Sequence, residues 1–334
     1  MPYSTPGQEL RRHGRRAVGQ ISLCLTIWAL LQALLDAAVL VGPLRPVLGR
    51  AFQQAEQVTP GRGGSFTLTI SADGLARTLL ASGEVVVWFS ATALLATLAA
   101  IVAMHRLAGG PGLLDLGLRP ARGWLGEVAL GLVLGPVAFL VIVSLELLTG
   151  WTELALGRLD APQLGLALAA FTCGAVSEEL LARGFVLRVL ERDYGTPAAV
   201  VGSSVLFTTL HAVNPGFGPA ALLGLFAGGL LFAYAYLATR RLWLPIGLHL
   251  SWNFAEGPLF GLAVSGLPVA GLLEPHVAGP ALATGGAFGP EAGVLGLIGM
   301  GVAAGLIALW RVRAVRSGVS SGGQADLPAQ LGSG

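Results

Sequence analysis

Two adjacent glutamates, Glu178 and Glu179, lie in a stretch that is otherwise apolar enough to be a membrane helix, and Arg183 follows four residues after Glu179. A charged side chain at the centre of a bilayer costs about 2.5–3.5 kcal/mol on insertion scales, so acids inside membrane helices usually serve a function. The chain has to fold so that these charges are paired or reach water. This requirement constrains the fold more than any other feature of the sequence.

The composition predicts an all-α polytopic membrane protein. Of its 334 residues, 54% are hydrophobic and only 11% are charged, whereas about a quarter of the residues of a soluble domain are charged. The net charge of +2 comes from arginine clusters beside apolar stretches, a pattern typical of orientation in a bilayer. We therefore expect the lipid bilayer as the surroundings of this chain and no nucleic acid as a partner.

About eight stretches are long enough to be membrane helices, which need roughly 20 apolar residues to cross about 30 Å of hydrocarbon. The least certain are the fourth, fifth and seventh. The eight predicted spans are Val18 to Val41, Val85 to Met104, Trp124 to Leu148, Leu164 to Leu187, Pro197 to Val213, Pro219 to Ala238, Leu242 to Phe260 and Ala292 to Trp310.

Arginine placement predicts the orientation, because short cytoplasmic loops carry an excess of positive charge. With eight crossings, most arginine clusters fall on one side, so we expect both termini to be cytoplasmic. The outer loop 44–84 is the exception, since it contains four arginines. The basic residues are all arginines, with no lysine, a composition that suggests a bacterial plasma membrane protein.

The same pattern divides the chain into five segments. They are a basic cytoplasmic N-terminus (1–17), two membrane helices with an outer loop (18–110), a core of membrane helices that contains the acidic pair (111–260), an outer loop with the last membrane helix (261–312) and a disordered C-terminal tail (313–334).

Helix geometry separates the roles of the two glutamates. Glu179 and Arg183 are four residues apart and stack on one face in the favourable acid-before-base order. Glu178 points about 100° away and remains free to act as a general base. An alternative is that the helix ends at Ser177 and both acids lie in water at the interface.

Two further polar pairs lie inside apolar spans. Phe207 and His211 share one helix face, so the aromatic ring would lie beside the imidazole. His249 and Asn253 also share a face, and both can donate hydrogen bonds toward one point, as an oxyanion requires. Taken singly, each pair could equally be polar contacts between membrane helices.

Convergence of these groups requires that they lie at the same depth. Glu178 reaches mid-depth if the fourth helix continues through Leu187, and His211 does so if the fifth helix is tilted or continues through Asn214. At about 10 Å or more from both histidines, Glu178 could not share a water molecule with them.

In this order and spacing, Glu-Glu-x-x-x-Arg, Phe-x-x-x-His and His-x-x-x-Asn resemble the CPBP family of intramembrane proteases, also called Abi or type II CAAX prenyl protease-like. The resemblance covers roughly Asp115 to Glu256. It implies a helical bundle with a cavity that opens toward the cytoplasm and the lipid, and an endopeptidase that cleaves membrane-associated, in some cases lipidated, substrates.

The resemblance also implies roles for individual residues. Glu178 would activate water with the help of His211, and His249 and Asn253 would hold the developing oxyanion. Three residues would support them: Glu179, Arg183 and Phe207.

A metal ion is an open alternative, because Glu178, His211 and His249 have the donors of a zinc site with two histidines and one glutamate. We favour a metal-free site without a cofactor. The chain lacks a His-Glu-x-x-His motif, and Asn253 is a poor zinc ligand but a good oxyanion donor.

Two other functions compete with proteolysis. Ionisable groups in a bundle also form proton-coupled transporters, but the chain has no inverted repeat of the kind many transporters carry. A non-enzymatic scaffold or immunity protein could keep the same fold without turnover. We favour the protease, because a scaffold has little reason to retain so many buried polar groups.

Overall fold

The computed structural model describes residues 6–60, 66–70, 82–158 and 160–316. Most of the predicted disordered tail, from residue 317 onward, lies outside these residues, as do Arg62 and Arg77 of the predicted outer loop.

The described chain is mainly helical. In chain order the helices are α1 (Pro6–Val41), α2 (Arg45–Ala55), α3 (Gly83–Ala108), α4 (Trp124–Leu148), α5 (Ala161–Glu179), α6 (Arg188–Tyr194), α7 (Thr196–Leu210), α8 (Pro219–Thr239), α9 (Trp243–Phe254), α10 (Ala281–Thr284) and α11 (Val294–Arg316). Wider π-helical turns join α5 to α6 (Leu180–Leu187) and extend α9 (Ala255–Leu259). Short 3-10 turns lie at Leu113–Leu116, Gly286–Phe288 and Pro290–Ala292.

The all-α multi-pass prediction is confirmed. Six helical stretches of the described chain are long and apolar enough to cross a membrane. They are Arg16–Val41, Gly83–Ala108, Trp124–Leu148, Ala161–Tyr194, Pro219–Thr239 and Val294–Ala314. The predicted fifth and seventh spans form the shorter helices α7 and α9, which have 15 and 12 residues.

Helix lengths explain how the predicted site residues reach a common depth. The fourth span continues past Glu178 through the π-helical turns and α6 as one stretch, Ala161–Tyr194, as the depth argument required. The predicted continuation of the fifth helix through Asn214 is wrong, because α7 ends at Leu210 and His211 is its C-cap. At about 1.5 Å per residue, 15 residues span only about 22 Å, so α7 is too short to cross the hydrocarbon and His211 stays inside the bundle.

Two small antiparallel sheets of two strands each, which the sequence did not indicate, lie in the connections between helices. β1 (Glu56–Pro60) pairs with β2 (Phe66–Ile70). β3 (Thr152–Leu156) pairs with β4 (Leu273–Val277), with Thr152 opposite Val277. This second pairing ties the connection after α4 to the connection after α9.

Close helix contacts fix the elements that carry the site. α4 and α9 approach so closely that a Cβ atom at Gly135 would lie 2.4 Å from the backbone carbon of Ser251. The Ser251 hydroxyl donates to the Gly131 carbonyl at 2.8 Å. Between α3 and α5, the hydroxyls of Thr97 and Ser177 are hydrogen-bonded at 2.9 Å. Small residues therefore set the position of α9 by close backbone approach, as is common in membrane bundles, and a hydrogen bond between side chains joins α5 to α3.

Candidate functional site

A cavity of about 690 Å³ has three of the four predicted catalytic residues, Glu178, His211 and Asn253, on its wall. The wall is otherwise mainly apolar and includes the rings of Trp28, Phe89 and Phe171. Its volume lies in the range typical of ligand pockets, and a few converging polar groups in an apolar wall are also typical of them.

Glu178 is the acid that faces this cavity. Its side chain is 28% exposed, and its Oε2 atom is buried without a hydrogen-bond partner. The Nε2 atoms of His211 and His249 lie 3.8 and 3.9 Å from this oxygen. These separations are too long for direct hydrogen bonds, but a small shift or one shared water molecule would connect the three groups. All three lie well within the predicted limit of about 10 Å.

The backbone fixes the tautomer of neutral His211. Its Nδ1 atom lies 2.8 Å from the carbonyl oxygen of Phe207. A carbonyl oxygen only accepts hydrogen bonds, so Nδ1 carries the proton. In the neutral ring Nε2 is then a free base that faces Glu178.

Glu179 has a different environment from its neighbour, as helix geometry predicted. Its side chain is fully buried, and its Oε1 atom accepts a hydrogen bond from Arg183 at 2.9 Å. The same oxygen lies 3.0 Å from Nδ1 of His249. Because a carboxylate is an acceptor, this contact places a proton on Nδ1 of His249, and Nε2 can donate only when the ring is an imidazolium.

Arg183 is fully buried and joins three helical segments. Besides Glu179, its guanidinium donates to the carbonyl oxygen of Gly229 on α8 at 2.9 Å. It also lies 4.7 Å from the centre of the Phe207 ring and 5.3 Å from that of Phe232. Desolvated cation–π contacts of this kind stabilise a buried cation, so Arg183 can balance the charges of the glutamates without reaching water.

Aromatic rings contact both imidazoles. Phe207 lies 4.8 Å from His211 and 5.8 Å from His249, measured between ring centres. Phe232 stacks on His249 at 4.5 Å with an interplanar angle of 20°. The predicted aromatic wall beside His211 is therefore present, and the same ring also contacts the second histidine.

Asn253 lies one helical turn after His249 and reaches the cavity wall. His249 itself is buried behind that wall, with a side chain only 4% exposed. Both side chains lie on the same face of α9, because they are four residues apart, and α9 is held in place by its close contact with α4. Two donors on one helix face beside a carboxylate have the layout needed to stabilise an oxyanion.

Sequence reasoning missed several functional contacts. The hydrogen bond between His249 and Glu179 joins residues 70 positions apart. Gly229 and Phe232 lie on α8 and have no polar side chain that would mark them as site residues. The glycine-rich stretch of α8 is the one sequence feature that is consistent with its close approach to the site.

A second buried acidic pair lies behind the site. Glu256 is completely buried at the end of α9, and Glu291 lies just before α11. Ser265 donates a hydrogen bond to Glu291, and the Ser265 carbonyl accepts one from Asn214, three residues after His211. Burial raises the pKa of Glu291, and the hydrogen bond from Ser265 partly opposes this rise.

The candidate zinc ligands are slightly farther apart than the ligands of a bound zinc ion. Ligands of a tetrahedral zinc with bonds of about 2.0–2.1 Å are about 3.3 Å apart, and Glu178 lies 3.8 and 3.9 Å from the two Nε2 atoms, so a small shift of these side chains would be needed to place them around a zinc ion. Within residues 6–60, 66–70, 82–158 and 160–316, no three or more His, Cys, Asp or Glu side chains are grouped as a metal site.

Comparison with known families agrees with the position of this site. Residues 160–255 match the family model described as type II CAAX prenyl endopeptidase Rce1-like. The matched segment runs from the N-cap of α5 to the residue after α9, so it contains all the predicted site residues. A search of curated proteins found no match. This segment of the chain is therefore similar to the Rce1-like family, and the similarity supports a membrane protease of the CAAX endopeptidase kind.

Proposed function

We propose that the Rce1-like segment at residues 160–255 makes this protein an intramembrane endopeptidase that hydrolyses membrane-associated polypeptides with a water molecule activated by Glu178. The observation that carries the proposal is the position of Glu178, whose unpaired oxygen lies between the Nε2 atoms of two histidines on the wall of a cavity. An unpaired carboxylate beside a free imidazole base is the arrangement that proton abstraction from water requires.

The reaction begins with water held between Glu178 and Nε2 of His211. Glu178 takes a proton from the water as its oxygen attacks the peptide carbonyl carbon. The carbonyl oxygen becomes an oxyanion, to which the amide of Asn253 and the Nε2–H of protonated His249 donate hydrogen bonds. Glu178 then returns the proton to the leaving nitrogen, the C–N bond breaks, and a carboxylic acid and an amine result.

Glu179 and Arg183 support this chemistry without contacting the substrate. Glu179 stabilises the imidazolium of His249, and Arg183 neutralises Glu179 in turn. Their fixed positions keep the oxyanion donors in place before the reaction, so little reorganisation is needed in the transition state.

Metal-free catalysis belongs to the same proposal. Asn253 lies on the wall of the same cavity as Glu178 and His211, and a carboxamide suits an oxyanion better than a zinc ion. The pattern of arginines favours a plasma membrane location with both termini in the cytoplasm.

The test is cleavage of a pool of lipidated and unlipidated peptides by the full-length protein in nanodiscs, read by mass spectrometry. Glu178→Gln removes the base. Glu191→Gln is the matched control, because Glu191 lies on the same continuous helical stretch but is paired with Arg240 away from the cavity. We expect cuts from the wild type and from the control but none from Glu178→Gln. Cuts that persist in Glu178→Gln would refute the assigned base, and no cuts by any variant would favour a scaffold or transporter.

A further inference from the structure

Helix α1 contributes two polar side chains to the cavity wall, although it lies outside the matched segment 160–255. Trp28 and Gln32 are both on the wall, and they lie on one face of the helix because they are four residues apart. Trp28 packs against the apolar cluster that contains Leu181, and Leu181 is itself on the wall, three residues after Glu178. The two side chains of α1 therefore share a wall with the catalytic groups.

A carboxylate fixes the orientation of the Gln32 amide. Its Nε2 atom lies 2.8 and 2.9 Å from the two carboxylate oxygens of Asp36, and 3.1 Å from the hydroxyl oxygen of Thr92 on α3. The Thr92 hydroxyl in turn donates to Asp36 at 2.6 Å. Because a carboxylate only accepts hydrogen bonds, the amino end of the amide has to face Asp36. The Oε1 atom of Gln32 is thus the end of the amide that is left for another partner.

One donor and one acceptor on this face of α1 have no partner. In the described part of the chain, Oε1 of Gln32 and the indole Nε1 of Trp28 are buried and make no hydrogen bond. The indole nitrogen can only donate, and the amide oxygen can only accept. A buried polar group without a partner is costly. A ligand that supplies an acceptor to Trp28 and a donor to Gln32 is therefore favoured at this part of the wall.

The main chain of an extended peptide carries this pair of groups. In a β-strand the N–H and C=O of one residue point to the same side, so two facing residues of antiparallel strands can exchange both hydrogen bonds. Main-chain hydrogen bonds give a bound peptide affinity, while pockets for its side chains give specificity. The rest of the cavity wall is mainly apolar and can receive such side chains.

We propose that Trp28 and Gln32 form a binding site for the main chain of an extended polypeptide substrate. Nε1 of Trp28 donates to a peptide carbonyl, and Oε1 of Gln32 accepts from the N–H of the same substrate residue. The inference rests on the proposed function, because this site shares the cavity with Glu178. Asp36 and Thr92 are positioning residues, since they act through the Gln32 amide that they orient.

Retention of peptides by an inactive full-length protein tests the binding site. Glu178→Gln in nanodiscs is incubated with a pool of lipidated and unlipidated peptides, and the retained peptides are identified by mass spectrometry. Gln32→Met, which removes the acceptor, and Trp28→Phe, which removes the donor, are each added to this parent. Trp28→Phe leaves the contacts of Asp36 intact. Trp88→Phe is the matched control, because Trp88 on α3 is 42% exposed and lies away from the cavity wall.

We expect Gln32→Met and Trp28→Phe each to lower retention about 10-fold, which corresponds to about 1.4 kcal/mol. The control should retain peptides as well as its parent does. Retention equal to that of the parent in both site variants would overturn the inference. Failure of the Glu178→Gln parent to retain any peptide would also overturn it.

Methylation of the peptide separates a direct hydrogen bond from a general loss of packing. One retained peptide is N-methylated at one amide nitrogen at a time, which removes one main-chain donor. We expect one position at which methylation lowers retention about 10-fold in the Glu178→Gln parent and has no further effect after Gln32→Met. A change in packing alone would leave the effect of methylation in place, so equal effects in both proteins would overturn the inference.

Cleavage by the wild type reports on the proposed function separately. Cleavage together with retention that does not depend on Trp28 or Gln32 would refute the binding site and leave the proposed function standing. Retention that depends on both residues, without cleavage by the wild type, would refute the proposed function and leave the binding site standing.

Discussion

Glu178 and Glu179 are chain neighbours in very different surroundings. Glu178 lies on the cavity wall, 28% exposed, with an oxygen that has no hydrogen-bond partner. Glu179 is fully buried and shares one oxygen between Arg183 and His249. A rotation of about 100° between successive helical residues thus separates the cavity wall from a packed, charge-balanced interior. In the proposed reaction, the free carboxylate is the base and the buried one holds the surrounding groups in place.

The largest expected effect is that of substituting Glu178 on the cavity wall. Glu178→Gln should lower kcat by about 10²–10⁴-fold, the range for loss of a general base. The Tm should change little, because the lost oxygen has no hydrogen-bond partner. Single-turnover cleavage and thermal unfolding in the same detergent would measure both. A large fall in Tm would mean that Glu178 belongs to the packed interior.

The next largest effect is the loss of stability when the buried Glu179 is substituted. Glu179→Gln should destabilise the fold by about 3–5 kcal/mol, because it leaves the buried charge of Arg183 without its counter-ion. The measurement is thermal unfolding of Glu179→Gln beside Glu178→Gln. Because the two substitutions are chemically identical and adjacent, the difference in their Tm values reports the loss of the counter-ion of Arg183. Equal Tm values for the two variants would show that the surroundings of the two acids differ less than the contacts indicate.

A third substitution tests whether Asn253, on α9, stabilises the transition state. Asn253→Ala should lower kcat by about 10²–10³-fold with little change in KM, as loss of one oxyanion donor does. Steady-state kinetics on one cleaved peptide would separate the two constants. A rise in KM with an unchanged kcat would assign Asn253 to substrate binding instead.

The smallest expected effect is that of metal removal. EDTA and 1,10-phenanthroline should leave the cleavage rate unchanged, and added zinc should not increase it, because the proposed reaction uses only side chains and water. The measurement is the initial rate before and after chelation and dialysis. Activity that disappears on chelation and returns with zinc would replace the metal-free reaction with a zinc ion held by Glu178, His211 and His249.

The local geometry of the site could be predicted because helical spacing is regular. The pairing of Glu179 with Arg183 and the contact of Phe207 with His211 each join residues four apart, and both are present. The depth of His211 could be predicted only in part. Its helix ends at Leu210 instead of continuing through Asn214, and no residue of the apolar span marks that end clearly.

The sequence by itself determined that this chain is a multi-pass helical membrane protein and which polar residues lie inside its apolar spans, because hydropathy and helical period are local properties. The tertiary structure alone decided which of those residues meet. The contact of His249 with Glu179, the bond from Arg183 to Gly229 and the cavity wall shared by Glu178, His211 and Asn253 all join distant segments. Such contacts depend on how closely helices pack, and close packing is set by small residues that the hydropathy pattern does not distinguish.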